Sequence, residues 1–307
     1  MKRKKQIGDF MYDLIVIGAG PAGLTSALYA LRANKRVLVL EAKTYGGQII
    51  NASSIDNYPG VKKISGFEYA TNLYEQVKEL GAVYKNETVI KVDFDKTVTT
   101  NKDKYQAKAV IIATGCENKK LGLEKEDDYV GKGISYCATC DGNFYKNKTV
   151  AVVGGGNTAL EDAIYLANIV EKVYLIHRRD AFRGEDKYLE ELKEKSNIEF
   201  ILNSNIIKLN GEEYLTSIDI KDNNDNIKSI NIDGLFIAVG QNPKNEIFKN
   251  IVDLNEYGYI ISDDGVHTKT DGIYVAGDNR VKPLRQLTTA VSDGAIAATT
   301  AINEMKG

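Results

Sequence analysis

Cys137-Ala138-Thr139-Cys140, with Asp141-Gly142 directly behind it, is the stretch of this chain best equipped for chemistry. Two thiols separated by two residues can close a small disulfide ring, one attacking and the other resolving. A helix start or a nearby cation lowers a thiol pKa enough to leave thiolate present near neutral pH. Asp141 adds a carboxyl group able to give or take the proton that such exchange moves. A structural zinc site needs four ligands. The remaining cysteine is Cys116, and His177 and His267 lie far along the chain, so no metal site is expected.

A glycine fingerprint lies on either side of this pair. Residues 12–17 (YDLIVI) form a β-rich apolar run that enters Gly18-Ala19-Gly20-Pro21-Ala22-Gly23. A helical pattern over 21–33 and a second apolar run over 36–40 follow, ending at Glu41. Strand, glycine turn, helix and acid-tipped strand together make the unit that seats a dinucleotide. The backbone can approach a pyrophosphate at the helix N-terminus, and the acid can hold both ribose hydroxyls. Residues 148–153 repeat the pattern, entering Gly154-Gly155-Gly156-Asn157-Thr158-Ala159, then a helix over 158–169 and a strand over 172–176. Where the first unit has Glu41, the second has His177, Arg178 and Arg179, with Arg183 close behind. A carboxylate repels a ribose 2′-phosphate, whereas guanidinium groups bind it through charge-assisted hydrogen bonds. The second site is therefore expected to take NADP(H), and the first a nucleotide with a free ribose.

These units need elements to hold them, and the chain is long enough for two cores. At 307 residues, 43% hydrophobic and 27% charged, it has the make-up of a globular protein of two ordinary domains. A formal charge of -2 implies no affinity for nucleic acid or membrane surfaces. The basic start, Lys2 to Lys5, has no long apolar run behind it and reads as a solvated end, not a signal segment. No apolar stretch approaches the ~18 residues of a spanning helix. So few cysteines, two of them in a redox-type pair, fit a reducing cytosol. Residues 67–80 read as a helix and 83–98 as strands. Two buried-strand patterns, 110–115 and 232–240, each end in a glycine and read as exits from the two nucleotide units. Cys116 reads as a small packing residue, and hinges are expected at 116–119 and at 241–245, where Pro243 stops regular structure. A strand over 273–278 delivers Asp278, a candidate for hydrogen bonding a polyol chain, and a small-residue helix is expected over 288–305.

Taken together, GAGPAG at Gly18, GGQ at Gly46, CATCDG at Cys137, GGGNTA at Gly154, HRRDAFR at His177 and VAGD at Val275 make a chain that resembles the bacterial low-molecular-weight thioredoxin reductases. The resemblance covers nearly the whole sequence. It implies an α/β fold of two Rossmann-like, three-layer ββα domains, the second inserted in the first. An FAD domain would comprise 1–117 and 246–307, and an NADPH domain carrying the cysteine pair 118–245. Motif by motif, FAD would be held by Gly18, Gly20, Pro21, Ala22, Gly23 and Glu41. Gly46, Gly47, Gln48 and Asn57 would lie on the flavin side, and Thr114 and Gly115 would also contact FAD. Gly277 and Asp278 would bind its ribityl or pyrophosphate portion, with Arg285, Gln286 and Leu287 beside the ring. NADPH would be held by Gly154, Gly156, Asn157, Thr158, His177, Arg178, Arg179 and Arg183. Cys140 would face the flavin, Cys137 would attack thioredoxin, and Asp141 would be the proton donor. The resemblance further implies a cytoplasmic homodimer whose NADPH domain swings between two orientations. A flavin-dependent dithiol oxidase, or a reductase of another small redox partner, is the alternative reading.

Overall fold

The structure, a computed structural model, describes residues 11–52 and 54–305. The basic start that reads as a solvated end lies outside the described residues. The chain opens with β1 (Met11–Ile17), α1 (Pro21–Arg32), β2 (Val37–Glu41) and α2 (Gly66–Glu79). β3 (Val83–Asn86), β4 (Val89–Val92), β5 (Thr97–Thr100), β6 (Lys104–Ile112) and the short β7 (Glu117–Asn118) follow. Next come β8 (Ile134–Ser135), α3 (Ala138–Asp141), β9 (Thr149–Gly154), α4 (Asn157–Ala167), β10 (Lys172–Ile176), α5 (Asp186–Lys193) and β11 (Ile198–Ile201). The strands β12 (Ser204–Gly211), β13 (Leu215–Asp222), β14 (Ile227–Asn231), β15 (Gly234–Ala238) and β16 (Gln241–Asn242) precede β17 (Ile273–Val275) and α6 (Leu287–Glu304).

Contacts divide the chain into two units, one running to Glu117 and resuming at Asn242, the other Asn118–Gln241. The return crossing falls four residues before the 245/246 boundary expected from sequence. Asn245 is the reason: it is 2% exposed, and its amide donates to the Gly258 and Asn279 carbonyls of the first unit. β7 and β16, where the chain crosses, pair as a two-stranded ribbon.

In the first unit the sheet order is β3-β2-β1-β6-β5-β4, with β17 also on β6. β1, β2, β3 and β17 run parallel to their neighbours, whereas β4, β5 and the start of β6 pair antiparallel. The strand expected over 110–115 begins earlier, at Lys104, and stops at Ile112. Its first half alternates in burial and pairs with β5; its second half is buried throughout and pairs with β17. β1 is buried on both sides, as parallel strands covered on two faces are. Leu14 and Val16 join the core under the helices, and Ile15 and Ile17 join the opposite core with Val89, Val98 and Phe248. Small residues let α1 and α6 meet closely. A Cβ on Gly294 would stand 2.3 Å from the Ala22 carbonyl oxygen, so glycine is required at this crossing.

The second unit repeats the plan with a parallel sheet in the order β11-β10-β9-β15-β8 and a separate antiparallel sheet β12-β13-β14. Val150 and Val152 of β9 pack with Leu160, Ala163 and Leu166 of α4, while Ala151 and Val153 pack with Ile206, Ile218 and Ile230 of the antiparallel sheet. Helices, parallel sheet and antiparallel sheet form the three layers.

Candidate functional site

Cys137 and Cys140 form a disulfide with their Cα atoms 5.3 Å apart. The turn that carries them is built from Cys137 outward: its carbonyl accepts from the Cys140 and Asp141 amides, closing the single turn of α3. Gly142 then lets this turn lie on α4, where a Cβ would meet the Tyr165 ring at 3.0 Å. Sequence reasoning missed Ser135. This hydroxyl is 4% exposed, accepts from the Cys137 amide at 3.1 Å and donates to Asp141 Oδ2 at 2.6 Å. One buried oxygen therefore ties the candidate acid to the backbone of the candidate attacking cysteine. Behind it Tyr136 donates to Glu126, a buried carboxylate that also accepts from the Leu121, Gly122 and Leu123 amides. A buried carboxylate with that many donors is fully compensated and holds its loop rigidly. Neither contact leaves a local signature, because Ser135 is a lone hydroxyl between Ile134 and Tyr136 and Glu126 is one acid in a charged run.

In the first unit the glycine loop is tightly turned. Gly18 has φ +105°, and a Cβ there would stand 2.3 Å from the Ala113 carbonyl oxygen. Glu41, at the tip of β2, accepts from the Ala19 amide and the Lys43 amide, both at 2.8 Å, which fixes its carboxylate beside the loop. The start of α1 has Pro21 in its first turn and no side-chain cap, so its amides are open to an anion. Gly46 and Gly47 pack on this loop, the Gly46 amide donating to the Ala19 carbonyl. Asn57 and Gln286, far apart in sequence, meet through an Nδ2–Oε1 hydrogen bond of 3.1 Å. Thr114 accepts from Asn279, and Leu287 is the first residue of α6. Arg285 does not present a free guanidinium. It donates to the Asp278 and Arg280 carbonyls and lies 4.1 Å over the Tyr259 ring, so it braces the Asp278 turn. Asp278 Oδ1 is buried without a hydrogen bond, and burial pushes the carboxyl pKa up against the pull of Lys282 and Arg285. Cys116, expected only to pack, is 8% exposed and donates through Sγ to the Asp278 carbonyl, its thiol pushed up to about 12 by burial.

In the second unit Gly154 begins the loop, Gly156 is open on its outer side and Thr158 is exposed in the first turn of α4. Two of the expected nucleotide contacts also have partners within the unit. Asn157 donates to Glu185 Oε1 and accepts from the Glu185 amide, both at 2.8 Å. His177 does not join the arginines: its ring is 5% exposed, stacks on Phe182 and fills the space where a Cβ on Gly155 would stand. Burial first, and then the neighbouring arginine charges, lower its pKa, so the imidazole is neutral. The Arg183 amide donates to the Gly155 carbonyl, and the Asn203 amide to that of Arg179. The loop 178–183 is thus pinned at both ends, while Arg178, Arg179 and Arg183 project outward. Among the described residues no carboxylate pairs with these three side chains.

Two nucleotide-type loops and a paired cysteine on one chain define a class, and comparison with known proteins agrees. The pyridine nucleotide-disulphide oxidoreductase model matches residues 12–294, and the chain belongs to that family. Its relatives narrow this to the thioredoxin reductases, oxidoreductases with a redox disulfide, here Cys137–Cys140. The chain is 43% identical over 293 residues to a thioredoxin reductase of Mycoplasma genitalium, covering 94% of this chain and 93% of that one. It is 40% identical over 295 residues to that of Bacillus subtilis, covering 94% and 93%. The structure of thioredoxin reductase from Streptococcus pyogenes superposes with a TM-score of 0.92 at 39% identity, covering 96% and 98%. The family implies FAD and NAD(P)H, and the residues present fit both. The open α1 start, the fixed Glu41 carboxylate and the buried acceptor on Asp278 suit a dinucleotide with a free ribose and a polyol arm. The unpaired arginines beside the second loop suit a phosphorylated ribose.

Proposed function

We propose that this protein passes electrons from NADPH, through FAD, to the Cys137–Cys140 disulfide and on to the disulfide of thioredoxin. The observation that carries this reading is the closed cysteine pair with Asp141 anchored through Ser135 in the same turn. The first unit holds FAD with its glycine loop, Glu41 and Asp278; the second holds NADPH with Gly154, Gly156 and the arginine loop. FAD, when bound, supplies two-electron transfer between a pyridine nucleotide and a disulfide.

The chain's own groups do the rest. Cys140 takes the electron pair as the S–S bond breaks, and Asp141 provides the proton at Cys137 Sγ. On the return, Asp141 takes that proton back and the Cys137 thiolate attacks one sulfur of the partner disulfide, displacing the other as a thiolate. Cys140 then attacks Cys137 Sγ, restores the 137–140 bond and frees the partner as a dithiol. The sum is NADPH, a proton and a disulfide giving NADP⁺ and a dithiol. The protein works as a homodimer in the cytoplasm; among the described residues no helix is long and apolar enough to cross a membrane.

The test is a yellow purified protein of about twice 33.9 kDa by light scattering that oxidises NADPH only when thioredoxin is supplied. Cys137→Ser is expected to keep flavin bleaching by NADPH and to lose thioredoxin reduction. A protein that takes up no flavin, or a Cys137→Ser variant that still reduces thioredoxin, defeats the proposal. NADPH oxidation driven by oxygen alone, or by another small disulfide protein but not thioredoxin, would move the assignment to the alternative partners.

A further inference from the structure

The turn Gly277–Lys282, which carries Asp278, is held by charges buried in the first unit. Asp293, on the second turn of α6, is 5% exposed and accepts from the Gly277 amide at 3.0 Å. It also accepts from Arg280 Nε at 3.1 Å and Lys282 Nζ at 3.0 Å, whose side chains are 13% and 4% exposed. Lys282 Nζ lies only 3.6 Å from Asp278 Oδ1, too far for a hydrogen bond, and Oδ1 is left as a buried acceptor without one. The backbone of Asp278 is fixed separately, its carbonyl accepting from Cys116 Sγ and Arg285 Nε.

An ammonium group this deeply buried cannot stay unpaired, because removing one partner of a buried pair leaves an uncompensated charge. Two carboxylates are within its reach: it hydrogen bonds to Asp293 at 3.0 Å and stands at ion-pair distance, 3.6 Å, from Asp278. An anionic carboxylate beside a diphosphate is repulsive, so the group that completes Asp278 is a hydroxyl donor. On FAD, with the adenosine ribose placed at Glu41, that donor belongs to the ribityl chain.

We propose that Asp293 is a positioning residue for FAD: by accepting hydrogen bonds from Lys282 and Arg280 it holds Lys282 at ion-pair distance from Asp278, short of a hydrogen bond, and leaves Asp278 Oδ1 open to the ribityl hydroxyls. This rests on the reading that the first unit holds FAD. In Asp293→Asn the lysine loses its counter-charge and moves the short distance to Asp278, covering the acceptor. Removing the lysine as well removes the competitor.

Apoprotein prepared from the full chain is titrated with FAD and, separately, with ADP, which shares the adenosine and diphosphate but lacks the ribityl arm. Asp293→Asn is expected to raise the Kd for FAD at least tenfold while moving the Kd for ADP less than twofold. The double variant Asp293→Asn with Lys282→Met is expected to return the FAD Kd to within threefold of the parent. Equal loss of FAD and ADP would mean general loosening of the unit and would overturn the proposal. So would an unchanged FAD Kd in the single variant, or a double variant as weak as the single. If Asp293→Asn does not fold, Lys282→Met alone decides. FAD binding within twofold of the parent supports the clamp, and a tenfold loss overturns it by making the ammonium itself a ligand. A parent protein that binds ADP but not FAD overturns the reading of the unit and the clamp together, whereas FAD binding with indifferent variants overturns only the clamp.

Discussion

At the scale of single residues, the arginine loop makes the sharpest claim. Arg178, Arg179 and Arg183 are exposed and carry no ion pair among the described residues, so their charge is available to a ligand. Charged hydrogen bonds are worth about 1.5–3 kcal/mol each, and neighbours in one network do not add. Arg178→Ala with Arg179→Ala should weaken NADPH binding by about 3 kcal/mol at most and leave NADH binding nearly unchanged. Steady-state KM values for the two nucleotides check this, and an equal loss for both would remove the phosphate role. Residues of this kind were legible in sequence because their demands are local: a charge at a strand tip, a glycine in a turn, a thiol two residues from another. What stayed hidden were side chains whose role depends on a distant partner. Ser135 needs Asp141 and the Cys137 amide, Ser26 donates to the Gly294 carbonyl 268 positions away, and of Asn57 and Gln286 only the pairing was hidden. For His177 and Asn157 the position in the motif was legible, but the stacking on Phe182 and the pairing with Glu185 were not.

At the scale of elements, apolar periodicity placed the nucleotide-unit strands and helices within a few residues, because β1, β9, α1 and α4 each bury a face that the sequence declares. It did not show α5, whose eight residues are mostly charged, nor the latch that fastens the end of α6. There His267 lies between Asp263, 2.8 Å from Nδ1, and Glu304, 2.7 Å from Nε2, while Tyr274 donates to the other Glu304 oxygen. Glu304 and Asp263 raise the His267 pKa; Glu304 is lowered by the Tyr274 hydroxyl first and then by His267, and Asp263 by the His267 backbone and ring. A raised histidine gives stability that is fully present below its unfolded pKa of about 6.5 and is lost as pH rises through the folded value. The lowered carboxylates give stability that is lost as pH falls through their folded values. The latch is therefore strongest between about pH 4.5 and 6.5 and weakens on the alkaline side. The ring is 41% exposed, so solvent screening keeps the effect below about 1 kcal/mol. Melting curves from pH 6 to 8.5 should fall less steeply in His267→Gln than in the parent; parallel slopes would show that folding leaves the histidine pKa unmoved and that the latch is not coupled to its protonation.

At the scale of the molecule, the chain builds one unit from its two ends and the other from its middle, and each has separate cores on both faces of its parallel sheet. The first unit cannot close until β17 and α6 arrive, because β17 completes the edge of β6 and α6 covers α1. The second is continuous from Asn118 to Gln241 and needs no other segment for its parallel sheet. A ligand stabilises only the unit that binds it, by about 2.7 kcal/mol at a concentration one hundred times Kd. If FAD belongs to the first unit and NADPH to the second, the two ligands must act on different transitions. Calorimetry of the apoprotein should resolve two unfolding steps, one raised by FAD alone and the other by NADPH alone. Hydrogen exchange gives each its address: FAD should slow exchange in β1, β2 and α6, and NADPH in β9, β10 and the arginine loop that follows. NADPH protecting β1 and α1 while leaving β9 untouched would reverse the assignment of the two glycine loops, and with it the direction in which electrons cross the protein.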